Sequence, residues 1–124
     1  MPAMKFTHET HTAVTVRHVE QGRIRVGQET VTDDVILFRD SVATWRPPAS
    51  GEICESDLAE LIALQPEIII FGCGWEPALP PRDLVFALAR KGIGFEMMDT
   101  PAACRTFNIL ISEDRDAAAV LKLS

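Results

Sequence analysis

The chain has 124 residues, of which 47% are hydrophobic and 24% are charged, and its formal net charge is −6. This length corresponds to one ordinary domain, and the apolar fraction suffices to form a core without disulfides or metal. The charges are scattered and form no basic run, which argues against a nucleic-acid-binding protein or a polybasic membrane anchor. The longest strongly apolar stretches, Ile68–Phe71 and Leu84–Ala89, are far shorter than the roughly 20 residues of a membrane-spanning helix.

The chain contains three cysteines at wide spacing, Cys54, Cys73 and Cys104. No apolar stretch follows Lys5 in the manner of a secretory signal, and the N-terminal segment lacks the arginine-rich pattern of a mitochondrial presequence. Cysteines in such a chain are expected to be free thiols of a reducing compartment. The sequence therefore predicts a cytoplasmic protein.

Short antiparallel strands are predicted for the first half of the chain. Alternating apolar and polar residues on either side of Gln21-Gly22 indicate a β-hairpin. His18 falls on the same predicted face as Val14 and Val16, which favours a buried structural histidine over a ligand. A second hairpin is predicted from the strands Val35–Phe38 and Val42–Trp45.

A proline-rich break over residues 46–51 is interpreted as a connection inside one domain, because neither side is long enough to fold alone. We expect a flexible tail over residues 1–12 and a single globular domain over residues 13–124. After the break, a helix with Ser56 as its N-cap precedes a β-α-β-α-β pattern, so at least two strands should be parallel. Its elements are a strand Glu67–Phe71, a helix Arg82–Lys91 closed by Gly92, a strand Ile93–Met98, a helix with Thr100 as N-cap and Pro101 as first residue, and a strand Ala117–Leu123.

Two loops form the candidate site. They follow two predicted strands that one crossover helix connects, and parallel pairing of these strands would bring both loops to one edge of the sheet. Open α/β sheets bind their ligands at this carboxyl edge. The candidate binding residues are Gly72, Cys73, Gly74, Trp75, Asp99, Thr100, Cys104, Arg105 and Asn108.

The first loop, Phe71–Gly74, is similar to part of a dinucleotide-binding fingerprint. The third glycine of that fingerprint is missing, and Pro77, Pro80 and Pro81 follow the loop where a helix should begin. We therefore interpret Gly72 and Gly74 as residues of a tight turn with positive φ.

The second loop, Asp99–Arg105, begins a helix. The N–H groups of a first helical turn, together with the guanidinium of Arg105, would hold a small anion. Capping of the helix by Thr100 or Asp99 is the commoner use of those residues. A helix start also favours a reactive thiolate at Cys104, although a buried core cysteine is the more frequent case.

No catalytic or metal-binding constellation is predicted. The sequence has no serine-centred elbow, Walker-type loop or Cys-x-x-Cys pair. His8 and His11 form half of a metal site without fixed further ligands. We assign no catalytic residue, no metal and no cofactor, and keep a redox pair of Cys73 and Cys104 as a weak alternative.

An apolar helix points to a buried surface or an interface. The run Leu84–Ala89 has no polar face for about a turn and a half, which predicts a helix buried all round by its own domain or by a second subunit. Trp75, in a loop, is either an anchor for a protein partner or part of the core.

Three segments, Pro66–Gly74, Lys91–Ile93 and Asp99–Asn108, resemble a family of small domains without assigned activity. The family includes the mitochondrial complex I assembly factor 3 and the adipogenesis-associated domain protein, and the resemblance covers nearly the whole chain. It implies a three-layer α/β fold, with a central mixed sheet between a β layer and a helical layer and with the last strand antiparallel to the others. It also implies that Gly72, Gly74, Asp99, Thr100, Ala103, Thr106 and Asn108 fall on the family motif, without a catalytic residue among them.

Two functions follow from these patterns. The first is a non-enzymatic interaction, assembly or regulatory domain that binds protein partners through the two-loop edge and an apolar surface. The alternative is a small-anion or small-molecule binding protein, or an enzyme, that uses the same edge with Cys73 or Cys104 as a reactive thiol. Neither hypothesis includes nucleic acid or insertion into a membrane, and a homo-oligomer is left open.

Overall fold

A computed structural model describes residues 7–8, 14–48 and 52–124. The strands are β1 (Thr7–His8), β2 (Val16–Glu20), β3 (Arg23–Val26), β4 (Glu29–Val31), β5 (Val35–Phe38), β6 (Ser41–Thr44), β7 (Ile68–Gly72), β8 (Gly94–Met98) and β9 (Ala117–Leu121). The helices are α1 (Ala59–Ala63), which follows a 3-10 turn at Glu55–Leu58, α2 (Arg82–Arg90) and α3 (Thr100–Ser112). The predicted tail, residues 1–12, lies outside the described residues except for β1, and so does His11.

Within the described residues, six strands form the main sheet in the order β1-β6-β5-β9-β7-β8, and β2, β3 and β4 form a second, antiparallel sheet. Both predicted hairpins are present, since β2 pairs with β3 and β5 pairs with β6. The predicted parallel pairing of β7 with β8 is also present, with Ile70 opposite Glu96. Helix α2 makes the crossover between these two strands.

The last strand corrects an expectation drawn from the family resemblance. It was expected to run antiparallel to the others, but β9 runs parallel to β7 and antiparallel only to β5. The reason is the second crossover, in which α3 carries the chain back over the sheet so that β9 enters in the direction of β7. All five residues of β9 are buried, as expected for a central strand covered on both faces.

Two apolar clusters cover the two faces of the main sheet and make the fold three-layered. On the first face, Val16 and Ile24 of the small sheet and Phe107 of α3 pack on β7 and β9. On the second face, Leu61 of α1 and Leu88 of α2 pack on the same strands. The family resemblance implied a β layer on one face of the main sheet and helices on the other. This expectation is met only in part, because α3 lies on the same face as the small sheet.

The predicted burial of His18 is wrong. The register between β2 and β3 shifts between Val16 and His18, which marks a β-bulge. A bulge adds one residue to a strand and reverses the face of the side chains that follow it. Val16 is therefore buried, whereas His18 is exposed and lies 3.5 Å from the Glu20 carboxylate.

Two further predictions for the helices need correction. Ser56 was expected to be an N-cap, but it lies inside the 3-10 turn, where the Asp57 carboxylate accepts a hydrogen bond from the Cys54 N–H at 2.8 Å. Helix α2 was expected to be buried all round by its own domain or by a second subunit. Its own domain buries only Leu84 and Leu88 and leaves Phe86 55% exposed, so the first of these two expectations is wrong.

Phe107 links α3 to the core and provides a test of this packing. Its side chain is fully buried, so we expect Phe107→Ala to lower the free energy of unfolding by about 3–5 kcal/mol. Ile109 lies on the same helix but is 57% exposed, so Ile109→Ala should change the value by less than about 0.5 kcal/mol. Urea unfolding of both variants measures the difference, and equal losses would contradict this packing.

Candidate functional site

The two predicted loops do meet at the carboxyl edge of the sheet, where they bond directly to each other. The Cys73 N–H donates to the Met98 carbonyl at 2.9 Å, and the Thr100 N–H donates to the Gly74 carbonyl at 2.7 Å. The distances leave no space for a ligand between these backbone segments.

The hydroxyl of Thr100 joins three parts of the chain. It accepts a hydrogen bond from the Gly74 N–H at 2.9 Å and donates one to the Lys122 carbonyl, just after β9, at 2.6 Å. Thr100 is fully buried, so both hydrogen bonds are shielded from water. Because this buried hydroxyl donates its proton to one part of the chain and accepts a hydrogen bond from another, it serves the fold.

Both glycines of the first loop are needed for this close approach. A Cβ atom on Gly72 would lie 3.0 Å from the Thr100 Cα and 3.1 Å from the Ala103 Cβ. Gly74 has a φ of +101°, and a Cβ atom there would lie 2.8 Å from the Ser124 carbonyl oxygen. Both glycines therefore allow close packing against α3 and the segment after β9. The positive φ predicted for both is present only at Gly74, because Gly72 is the last residue of strand β7.

The start of α3 has its N–H groups occupied. Asp99, and not Thr100, is the N-cap, because its carboxylate accepts from the Ala102 N–H at 2.8 Å. Thr100 is the first helical residue, Pro101 has no N–H, and the Ala103 N–H donates to the Asp99 carbonyl at 2.9 Å. This arrangement argues against anion binding by the first turn of the helix.

Asn108 fastens α3 to the small sheet. Its side-chain amide donates to the Val16 carbonyl at 2.8 Å, and its side-chain oxygen accepts from the Val16 N–H at 2.9 Å. The oxygen and the nitrogen of the Asn108 side-chain amide are therefore both hydrogen-bonded to Val16. The Thr106 hydroxyl, on the same helix, lies 3.4 Å from the Met98 sulfur.

The three cysteines are free and differ in exposure. Cys104 is 2% exposed in the cluster on the first face, and burial raises the pKa of its thiol to about 12, an effect that the nearby Arg105 charge opposes. Cys73 is half-buried and packs against the cluster on the second face, with its sulfur 3.4 Å from the Glu76 carbonyl. Since the sheet separates these two thiols, the geometry argues against a redox pair.

Apart from Cys104, the ionisable groups with shifted pKa values lie away from the two loops. Arg23 lowers the pKa of the exposed Glu20 carboxyl through a hydrogen bond, and Arg115 does the same for Glu67 next to the amino end of β7. Surface ion pairs account for both shifts. In the described part of the chain, no three His, Cys, Asp or Glu side chains are grouped as metal ligands.

An apolar cleft of about 260 Å³ opens on the second face of the sheet, at the same edge as the loops. Its inner wall includes Trp45 and Phe71, whose rings meet edge to face with centroids 5.5 Å apart. The Trp45 indole N–H donates to the Asp57 carbonyl at 3.0 Å, which leaves its ring as an apolar wall. The remaining lining residues are Pro47, Pro48, Glu52, Ile53, Cys73, Ala78, Leu79, Pro81, Met97 and Lys122.

The cleft was not anticipated from the sequence, apart from Cys73. The walls of the cleft come from segments far apart in the chain. In the sequence, only Pro47, Pro48 and Pro81 indicated irregular backbone in these segments. Of the other predicted site residues, Trp75 and Asp99 are half-buried and Arg105 is exposed. Leu79, on the rim of the cleft, is 90% exposed.

The structure is a small three-layer α/β domain. We call the place where the two loops bond to each other and to the segment after β9 the closed corner. The chain belongs to the family described as "Protein of unknown function (DUF498/DUF598)", whose model matches residues 16–122. The resemblance stated from the sequence is thereby confirmed.

Three similar proteins illustrate the family. The NADH dehydrogenase (ubiquinone) 1 alpha subcomplex assembly factor 3 of Danio rerio is 31% identical, over 77% of this chain and 56% of that protein. A "13 kDa major membrane protein" of Francisella tularensis is 33% identical over 56% of each chain. The crystal structure of a Bordetella parapertussis protein superimposes with a TM-score of 0.80 at 32% identity, over 89% of this chain and 95% of the other.

The chain spans just over half the length of these two curated relatives. None of the helices in the described residues has the length and apolar character needed to cross a bilayer.

The Thr100 hydroxyl provides a test of the closed corner. Thr100→Val keeps the shape but leaves the Gly74 N–H and the Lys122 carbonyl without their partner, so the free energy of unfolding should fall by about 2–4 kcal/mol. Thr100→Ser keeps the hydroxyl and should cost about 1 kcal/mol for one buried methyl group. Chemical denaturation measures both values, and a smaller loss for valine than for serine would contradict the role of the hydroxyl.

The buried thiol of Cys104 predicts a pH dependence of stability. Its pKa in the folded state, about 12, lies above the ordinary value of 9.0, so the unfolded chain loses the thiol proton first as the pH rises. The stabilisation is therefore complete below pH 9 and is lost as the pH rises towards 12. Urea unfolding at increasing pH should show a steeper loss for the wild type than for Cys104→Ala, whereas the exposed Cys54→Ala should follow the wild type.

Proposed function

We propose that this domain is a non-enzymatic protein-binding module that acts in the assembly of a multi-subunit complex, with subunits of a respiratory NADH dehydrogenase as the partners to test first. The relatives named as assembly factors support this proposal, since the match to the zebrafish protein covers 77% of the chain. The docking site would be the apolar cleft together with its rim.

One observation carries the proposal: the polar groups at the sheet edge are used inside the chain, whereas the apolar side chain of Leu79, on the rim of the cleft, is exposed. Thr100, Asp99 and the glycine loop bond to one another. On the other face, Leu79 is 90% exposed beside a cleft walled by aromatic rings. Accessible apolar side chains beside a concave surface are typical of protein interaction sites.

The alternative of a small-anion site or an enzyme at the two-loop edge has less support. An anion at the start of α3 would have to displace Asp99 from the Ala102 N–H. A reactive Cys104 would need exposure of a buried thiol whose pKa is raised to about 12. Neither change has a compensating interaction in the described residues.

We also infer a reducing, cytoplasmic location for the domain. Support comes from Cys54, Cys73 and Cys104, which are all free thiols.

Leu79→Asp tests the docking site. In a host strain lacking the gene, native gels would measure the amount of assembled NADH dehydrogenase after complementation with each variant. We expect the wild type and the matched control Leu79→Met to restore assembly, and Leu79→Asp to restore much less, because a carboxylate on the rim disfavours apolar docking.

The folded state should be unaffected, since Leu79 is 90% exposed and surface substitutions usually change stability by less than about 0.5 kcal/mol. Normal NADH dehydrogenase assembly in the deletion strain would refute these partners. Full complementation by Leu79→Asp would instead refute the cleft as the docking site.

A further inference from the structure

The outer face of α2 carries an exposed aromatic residue between two arginines. Phe86 is 55% exposed, and Arg82 and Arg90 lie four residues before and after it. Residues four apart lie on the same side of a helix, so the three side chains form one row. Leu84 and Leu88 are buried on the opposite side, against the main sheet.

This row has no evident role in stabilising the fold. Arg82 is the first residue of α2, where the helix dipole disfavours a cation. Neither Arg82 nor Arg90 has an ion pair with another described residue, whereas the neighbouring Lys91 pairs with Glu55 at 3.5 Å. Phe86 is absent from both apolar clusters of the described residues.

Aromatic residues and arginine are the residue types enriched in protein interfaces. A guanidinium matches a carboxylate in geometry as well as in charge. We propose that the outer face of α2 binds a helical segment of a protein partner in which an apolar residue lies between two acidic residues, each about four positions away. This proposal rests on the proposed function, because it describes a second contact of the same protein-binding domain.

A second copy of this chain does not offer that complement in its described residues. The exposed apolar residue of α3, Ile109, has Arg105 four positions before it and Glu113 four positions after it. One of these two side chains would repel an arginine of α2. Helix α1 has only five residues. Charge complementarity therefore favours a different protein over self-association.

An anionic membrane surface fits this face less well. A helix that lies in a membrane interface needs a broad apolar face and a cationic polar face. The apolar side of α2 is already packed on the sheet, and Phe86 is the one large apolar side chain of this helix directed outward.

The probe for this proposal is a displayed library of helical peptides, selected for binding to the intact wild-type chain. We expect the enriched peptides to carry Asp or Glu about four positions before and after an apolar residue. The most enriched peptide should then bind R82E/R90E about tenfold more weakly, and Phe86→Ala about tenfold more weakly, in a fluorescence titration. The charge reversal Arg25→Glu at an exposed position of β3 is the control and should leave the affinity unchanged.

Several outcomes would overturn the proposal. Enriched peptides without acidic residues, or equal affinity for R82E/R90E, would remove the charge complementarity. Loss of peptide binding in Leu79→Asp but not in R82E/R90E would assign the peptides to the cleft. If the chain co-sediments with vesicles of equal parts phosphatidylglycerol and phosphatidylcholine, and R82E/R90E abolishes this binding, the outer face of α2 would be assigned to a membrane. If sedimentation equilibrium shows a dimer, and Phe86→Ala abolishes it, the outer face of α2 would be assigned to a second copy of this chain.

The peptide experiment and the assembly experiment fail independently. The titration uses the purified chain and does not depend on the NADH dehydrogenase of the host. A normal deletion strain would therefore leave the α2 result intact, and a negative peptide selection would leave the cleft intact.

Discussion

The hydroxyl of Thr100 is the point at which the second half of the chain is held together. It bonds to the loop after β7 and to the segment after β9, and it belongs to the first turn of α3. Without Gly72 the helix could not come this close, because a Cβ atom would meet the threonine backbone at 3.0 Å. The sheet edge, the helix start and the last strand therefore depend on one buried side chain.

The residues on which the resemblance to the family rests are therefore largely structural. Asp99 caps α3, Asn108 binds β2, and the two glycines allow close packing. The surfaces proposed to bind proteins lie elsewhere, at the cleft and on the outside of α2. Relatives can share this framework while presenting different side chains to different partners, which is why a shared fold does not by itself assign a partner.

Local patterns predicted the elements of the fold better than their arrangement. The periodicity of residues 66–112 predicted β7, β8, α2 and α3, and the short connections predicted the parallel pair. The bulge before His18 was missed because alternation in a sequence does not show an inserted residue. Asp99 and Thr100 are adjacent and both able to cap, so only the geometry distinguishes them. The cleft was missed because Trp45, Phe71 and Met97 come together through long-range pairing alone.

The position of β9 has a consequence for how this domain folds. The last described strand, β9, lies between β5 and β7. The strands β1, β6 and β5 are therefore joined to β7 and β8 only through β9. In the described part of the chain, β5 and β7 each keep one unpaired edge until β9 has been made and inserts between them. Such non-local pairing slows folding and leaves intermediates prone to aggregation. Protection of these two edges until β9 has been made should therefore favour correct folding.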